Sequence, residues 1–235
     1  ILAYLDDDAE ASSGWLTALS SAFEDEQVAI AGGRITLLWP PQTQAPPWLS
    51  LGLAGNLGAY DLGDAPQLIT QPGQTPRGLN YAVRQSFLKQ VGGFDPQLGR
   101  VGKNLLSNEE LHLTQQALRQ GFKVLYLPQA LVAHNVAPER LNPKWFLRRS
   151  WWQGISECYR EQLQGTLTLG HVRSRSLCLL RGLYKALRYW PDQAACFDNL
   201  VYAYGQLGYL LSSVRVLLRA HKTAPAAQES EPTVS

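Results

Sequence analysis

Apolar and polar positions follow two periods along this chain, and the period changes near residue 142. Residues 1–5 form an apolar run that stops at Asp6-Asp7-Asp8, which predicts a buried strand ending in carboxylates. Ser12-Ser13-Gly14 opens a predicted helix over 12–23, with a serine as N-cap. Residues 28–38 read as a strand with a bend at Gly32-Gly33. Four prolines between 40 and 47 break the pattern, and 48–76 reads as a long Gly- and Pro-rich loop. A short strand at 80–83 and a helix at 85–91 follow, the helix closed by Gly92-Gly93. After a second loop, 95–107, a helix is predicted over 108–120 and closed by Gly121. Residues 123–127 predict a strand stopped by Pro128, and 131–134 a further extended piece. Helical periodicity then covers 143–164, 174–189 and 197–220. Strands alternating with helices indicate an α/β domain.

Composition narrows the class. The 235 residues are 45% apolar and 17% charged, which excludes a disordered protein. Three scattered cysteines with no CxxC pair exclude a disulfide-stapled scaffold and a cysteine-built zinc site. A net charge of +2 gives no reason to expect a nucleic-acid partner. The charge is unevenly placed: residues 1–138 carry 8 basic and 12 acidic side chains, and residues 139–235 carry 13 and 7. An acidic front and a basic back suggest different tasks. The chain holds no methionine and opens inside an apolar run without a basic leader, so upstream strands are expected to be missing. The last stretch, 223–235, is expected to be a disordered tail.

Three groups of residues could carry chemistry. Asp6-Asp7-Asp8 sits at the carboxyl end of a strand, where open α/β sheets bind ligands. Hard cations such as Mg²⁺ or Mn²⁺ take such oxygen ligands; an acidic turn before a helix is the plainer alternative. Ser107-Asn108-Glu109-Glu110 opens a helix. Its carboxylates are either ordinary partners of the helix dipole or a general base held ionised by it. His134 follows an extended segment, as a core histidine or a metal ligand.

In order, the motifs resemble those of family 2 glycosyltransferases with the GT-A fold. Asp6-Asp7-Asp8 with Gly14-Trp15-Leu16 is similar to that family's DxD strand and the helix start after it. Gly78-Leu79-Asn80-Tyr81-Ala82-Val83-Arg84, Val91-Gly92-Gly93-Phe94-Asp95, Glu109-Glu110 with Gly121-Phe122, and Val124-Leu125-Tyr126-Leu127-Pro128 with His134 follow in the family's order. The resemblance covers 1–156 and implies a GT-A-like mixed sheet flanked by helices, the C-terminal portion of the catalytic domain. It implies an inverting, divalent-cation-dependent transfer from a nucleotide-sugar to an acceptor hydroxyl. Asp8 would bind the cation, Asp6 the cation or the donor ribose, and His134 would approach from the far side. Gly78 and Asn80 would shape the donor and acceptor pocket. Glu110 would be the base. It stands where the family has aspartate, so the choice between Glu109 and Glu110 stays open. The expected division is 1–140 as a partial catalytic domain, 141–222 as a helical region and 223–235 as the tail.

The back is basic and aromatic. Trp145, Arg148 or Arg149, and Trp152 fall on one helical face, either a wall over acceptor or diphosphate or core aromatics with a solvated rim. Residues 200–218 are apolar but interrupted, which suits a peripheral helix on an anionic membrane or a packing helix. A cytoplasmic protein, peripheral on the inner face of the membrane, with a carbohydrate or lipid-linked acceptor, is the resulting expectation. Two rivals remain. One is a non-catalytic, transferase-like module that docks on membrane or partner. The other is a phosphatase of the haloacid-dehalogenase type, disfavoured because Glu10 stands where that motif needs Thr or Val.

Overall fold

The computed structural model describes residues 1–96, 98 and 108–223. Most of the second predicted loop, including Ser107, and the tail beyond Thr223 lie outside the described residues. The strands are β1 (Leu2–Leu5), β2 (Ala9–Ala11), β3 (Val28–Leu38), β4 (Gln67–Leu68), β5 (Asn80–Val83) and β6 (Lys123–Asn135). They form one mixed sheet in the order β1-β5-β3-β6-β2, with β4 also on β6. β3 and β6 run parallel, and the other pairs are antiparallel.

Alternation along the strands sorts two cores. Ile30, Tyr81, Val83, Val124 and Tyr126 face α3 (Gln85–Gln90) and α4 (Glu109–Arg119), burying Phe87, Leu113 and Ala117. Val28, Ala31, Ala82 and Leu127 face α1 (Trp15–Ala22), burying Leu19 and Phe23. The predicted loop 48–76 contains α2 (Leu51–Ala54), β4 and two short 3-10 turns.

Three local features differ from what the sequence predicts. The first helix is capped by Gly14 without a side-chain bond, not by a serine. Pro128 does not end a strand. Leu127 pairs with Gly33 and Val132 with Ile35, so Pro128–Leu131 forms an extended bulge inside one continuous β6. A proline is tolerated there because the bulge needs no ladder hydrogen bond from it. Gly32-Gly33 is a close approach within β3, not a bend. A Cβ on Gly33 would run into the carbonyl oxygens of Ala130 and Leu127.

Asn80 closes that region. Its amide nitrogen donates to the carbonyls of Ala130 (2.7 Å) and Arg34 (3.1 Å), and its oxygen accepts from the Trp15 indole (2.9 Å). A buried amide with these partners ties α1, β3 and the bulge to β5.

The C-terminal region is helical as the sequence predicts: α5 (Pro143–Leu163), α6 (Leu169–Arg188) and α7 (Gln193–Thr223). Phe146 and Val201 share a buried cluster with Leu53, Leu57 and Val136, which joins these helices to the sheet layer. α7 carries residues 200–218, for which the sequence suits either a peripheral or a packing helix. It packs against both α5 and α6, with Val201, Ala203, Gln206, Tyr209 and Ser213 buried. Its backbone meets α5 closely, since a Cβ on Gly154 would overlap the Gly205 carbonyl.

Glu161 pins the three helices together. The Tyr209 hydroxyl donates to it, and Arg175 lies 3.5 Å from it, 2.7 Å from Glu157 and over the Tyr209 ring. Burial, with the Glu161 carboxylate, pushes the Tyr209 phenol up, so it stays a donor. Replacing Glu161 with alanine leaves the buried Tyr209 hydroxyl without its acceptor, while Arg175 keeps Glu157, and is expected to cost about 1–3 kcal/mol of stability. A urea midpoint unchanged from the parent would refute that linkage.

Candidate active site

β1 delivers the acidic stretch to one end of the sheet. Leu5 pairs with Asn80, and the chain then turns, with the Ala9 amide donating to the Asp6 carbonyl at 3.1 Å. β2 follows and sets Ala9 opposite His134 on β6. The Asn135 amide also donates to the Asp8 carbonyl at 2.9 Å. Asp8 Oδ1 therefore sits 3.3 Å from His134 Nε2, and its Oδ2 3.6 Å from Arg140. Arg140 also approaches His134 Nε2 at 3.5 Å.

His134 is 2% exposed. Its Nδ1–H donates to the Leu57 carbonyl at 2.7 Å, which turns Nε2 toward Asp8. In the neutral ring Nε2 is an acceptor, so two acceptors face each other at 3.3 Å. Such a pair needs positive charge between or beside it: a proton, Arg140 or a cation. Ligand atoms of an octahedral Mg²⁺-sized ion lie about 3 Å apart, so the spacing and the donor types fit one. Among the described residues no three His, Cys, Asp or Glu side chains converge. Asp8 and His134 are thus a pair, and they do not form a closed cage with Asp6.

The second wall is the N-terminus of α4. Asn108 precedes it at φ +107°, a left-handed conformation that costs a non-glycine residue energy. Its oxygen accepts from Gln153 on α5 at 3.1 Å, and Gln153 accepts from Arg149 at 3.4 Å. Glu109 and Glu110 follow, both half-buried. The Glu110 carboxylate lies directly on Gly78, where a Cβ would overlap it. Thr75 hydroxyl reaches the Glu110 carbonyl at 3.5 Å and Thr114 at 2.6 Å. Beneath them burial drives the Tyr81 phenol well above its usual range, and the Glu110 charge adds to this.

The two walls meet through Gly78-Leu79-Asn80. Gly78 supports Glu110, and Leu79 reaches Gly58, which borders His134. Of the expected site residues, Asp8 lies against His134 and Glu110 against Gly78, with Asp6 in the turn between β1 and β2. Asn80 belongs to the fold beneath: it is fully buried and its amide is spent on the bulge. The two arginines separate. Arg149 faces Asn108 through Gln153, on the helical face of Trp145 and Trp152. Arg148 turns to α7 and lines a cavity of about 330 Å³ with Lys144, Leu147, Trp151 and Tyr204. Trp145 packs on Phe146 in the apolar cluster. Sequence reasoning missed Arg140, although a cation six residues past His134 is its only signal there. It also missed the coupling of Asn108 to Gln153, which no sequence pattern announces.

No family model matches the chain. It is 27% identical over 159 residues to the glucosyl-dolichyl phosphate glucuronosyltransferase of Haloferax volcanii, covering 67% of this chain and 50% of that protein. It is 28% identical over 153 residues to the pre-mycofactocin glycosyltransferase of Mycobacterium tuberculosis, covering 65% of this chain and 30% of that protein. The chain thus spans half or less of the length of these curated relatives. Among solved structures, it superposes on GalNAc-T7 with UDP, GalNAc and Mn²⁺ (TM-score 0.41, 16% identity, 70% of this chain, 34% of that one). It also superposes on the mannosyltransferase PcManGT from Pyrobaculum calidifontis with GDP-Man and Mn²⁺ (TM-score 0.42, 13% identity, 95% and 51%). At these scores the fold description rests on the chain's own topology. The similarity to curated glycosyltransferases, at modest identity, supports a family 2-like glycosyltransferase domain in this chain.

Proposed function

We propose that this chain carries the catalytic face of a transferase that moves a sugar from a nucleotide-sugar to an acceptor hydroxyl, with inversion at the anomeric carbon. The observation behind this reading is a pair of contacts, Asp8 on His134 where β2 meets the end of β6 and the Glu110 carboxylate on Gly78, two residues before β5. Glu110 takes the acceptor proton as the hydroxyl oxygen bonds to the anomeric carbon. The bond from that carbon to the diphosphate oxygen breaks, and the nucleoside diphosphate leaves with its electron pair. The α4 N-terminus favours the ionised carboxylate that this step needs. Glu110 is preferred over Glu109 because it is the one set against Gly78.

Asp8 and His134 would hold a divalent cation, Mn²⁺ or Mg²⁺, with donor phosphate and water completing its shell. When bound, that ion neutralises charge on the departing diphosphate. Arg140 is this chain's own cation beside the same carboxylate. Arg149 borders the α4 side through Gln153 and Asn108, where an acceptor would lie, and Trp152 shares its helical face. A carbohydrate or lipid-linked acceptor is consistent with the name of the Haloferax relative.

The configuration of the released or transferred sugar, read by proton NMR during turnover of a nucleotide-sugar, tests the reading. The β-product from an α-linked donor is expected; a retained anomer would overturn it. Gly78→Ala is expected to displace Glu110 and cut turnover about 100-fold with the melting temperature preserved. Unchanged turnover would remove Glu110 from the reaction.

A further inference from the structure

α6 presents an apolar face that none of the described residues covers. Leu169, Leu177, Leu180, Tyr184, Leu187 and the following Trp190 are 60–74% exposed. They recur at helical spacing on one side of the helix, while Gly182 and Ala186 on the opposite side are buried toward α7. Soluble surfaces scatter single apolar residues and rarely line up six.

The flank of this stripe is basic. Arg181 and Arg188 are exposed along that flank with Lys185 beside them, and the exposed Arg173 interrupts the stripe between Leu169 and Leu177. The helix contains no Asp or Glu. Tyr184, Tyr189 and Trp190 sit at its C-terminal end, the residue types that settle at a headgroup boundary. Among the described residues no helix is long and apolar enough to cross a membrane.

We infer that α6 lies in the plane of an anionic lipid bilayer, with its leucines in the headgroup–acyl boundary and its arginines on the lipid phosphates. The charge argues for this occupant. A second copy of the chain would bring the same row of cations against itself, whereas an anionic bilayer complements both the leucines and the arginines. The placement differs from that expected at 200–218, because α7 is spent on packing and α6 is left outward. The inference stands apart from the transfer reaction, and its test does not use activity.

The test is co-sedimentation of the full chain with vesicles of equal parts phosphatidylcholine and phosphatidylglycerol, beside vesicles of phosphatidylcholine alone. Binding to the anionic vesicles that weakens as salt rises is expected. The exposed double variant Leu180→Glu/Leu187→Glu should bind about tenfold more weakly or worse, with an unchanged circular-dichroism melt. Equal binding by the variant, or a chain left in the supernatant with both vesicles, would overturn the proposal. A parent that is dimeric and indifferent to vesicles, with a monomeric variant, would overturn it in favour of a second copy.

Discussion

Asp8→Ala abolishes cation-dependent binding of nucleoside diphosphates and leaves the fold in place. Asp8 enters the site through its side chain alone. Its backbone carbonyl still accepts from Asn135, and β2 still pairs with β6, whatever the side chain is. The carboxylate is a third exposed, so its loss opens no cavity in the core. What goes is the carboxylate facing His134 Nε2, and with it half of the donor pair proposed to hold a hard cation. A diphosphate bound mainly through that cation loses its anchor. Titration calorimetry with Mn²⁺ present should give heat for the parent and none for the variant. Equal affinity in both would mean that the diphosphate is held elsewhere.

Glu110→Gln keeps donor binding and loses turnover. The amide is the same size as the carboxylate and still fits against Gly78, but it cannot take a proton. A positioned base contributes typically about 10²–10⁴-fold, so kcat should fall by that factor with the donor Kd unchanged. Glu109→Gln should change kcat by less than about tenfold. The two variants answer the question that the sequence leaves open. A collapse in the Glu109 variant with a mild effect at Glu110 would reverse the assignment.

What the sequence reveals follows from how local each cause is. β3 and β5 stand where their apolar runs place them, and β5 is buried throughout. β1 also forms where its run lies, but as an edge strand of the sheet that is largely exposed, not the buried strand the run predicts. The closing glycines at 92, 93 and 121 all take positive φ, as their positions after helices predict. β2 is invisible in Ala9-Glu10-Ala11, since three residues carry no period; it exists because β6 offers an edge beside it. β6 looks like two pieces because Pro128 reads as a stop, and only the partner strand shows the bulge. The site divides in the same way. Asp8, His134 and Glu110 come from motifs in order, which pattern can find. Arg140 and the Gln153–Asn108 contact depend on how α5 and the turn before it fold back, which it cannot. Asn80 sits in a motif of the expected site, yet its three hydrogen bonds belong to the sheet.

Thermal unfolding of this chain against a panel of nucleoside diphosphates, with and without Mn²⁺, tests the central claim most directly. A ligand present at about 100 times its Kd adds about 2.7 kcal/mol, which is several degrees for a chain of this size. An upward shift with one of the nucleotides, dependent on Mn²⁺, is expected. No shift with any nucleotide at saturating Mn²⁺ would contradict a donor site built on Asp8 and His134.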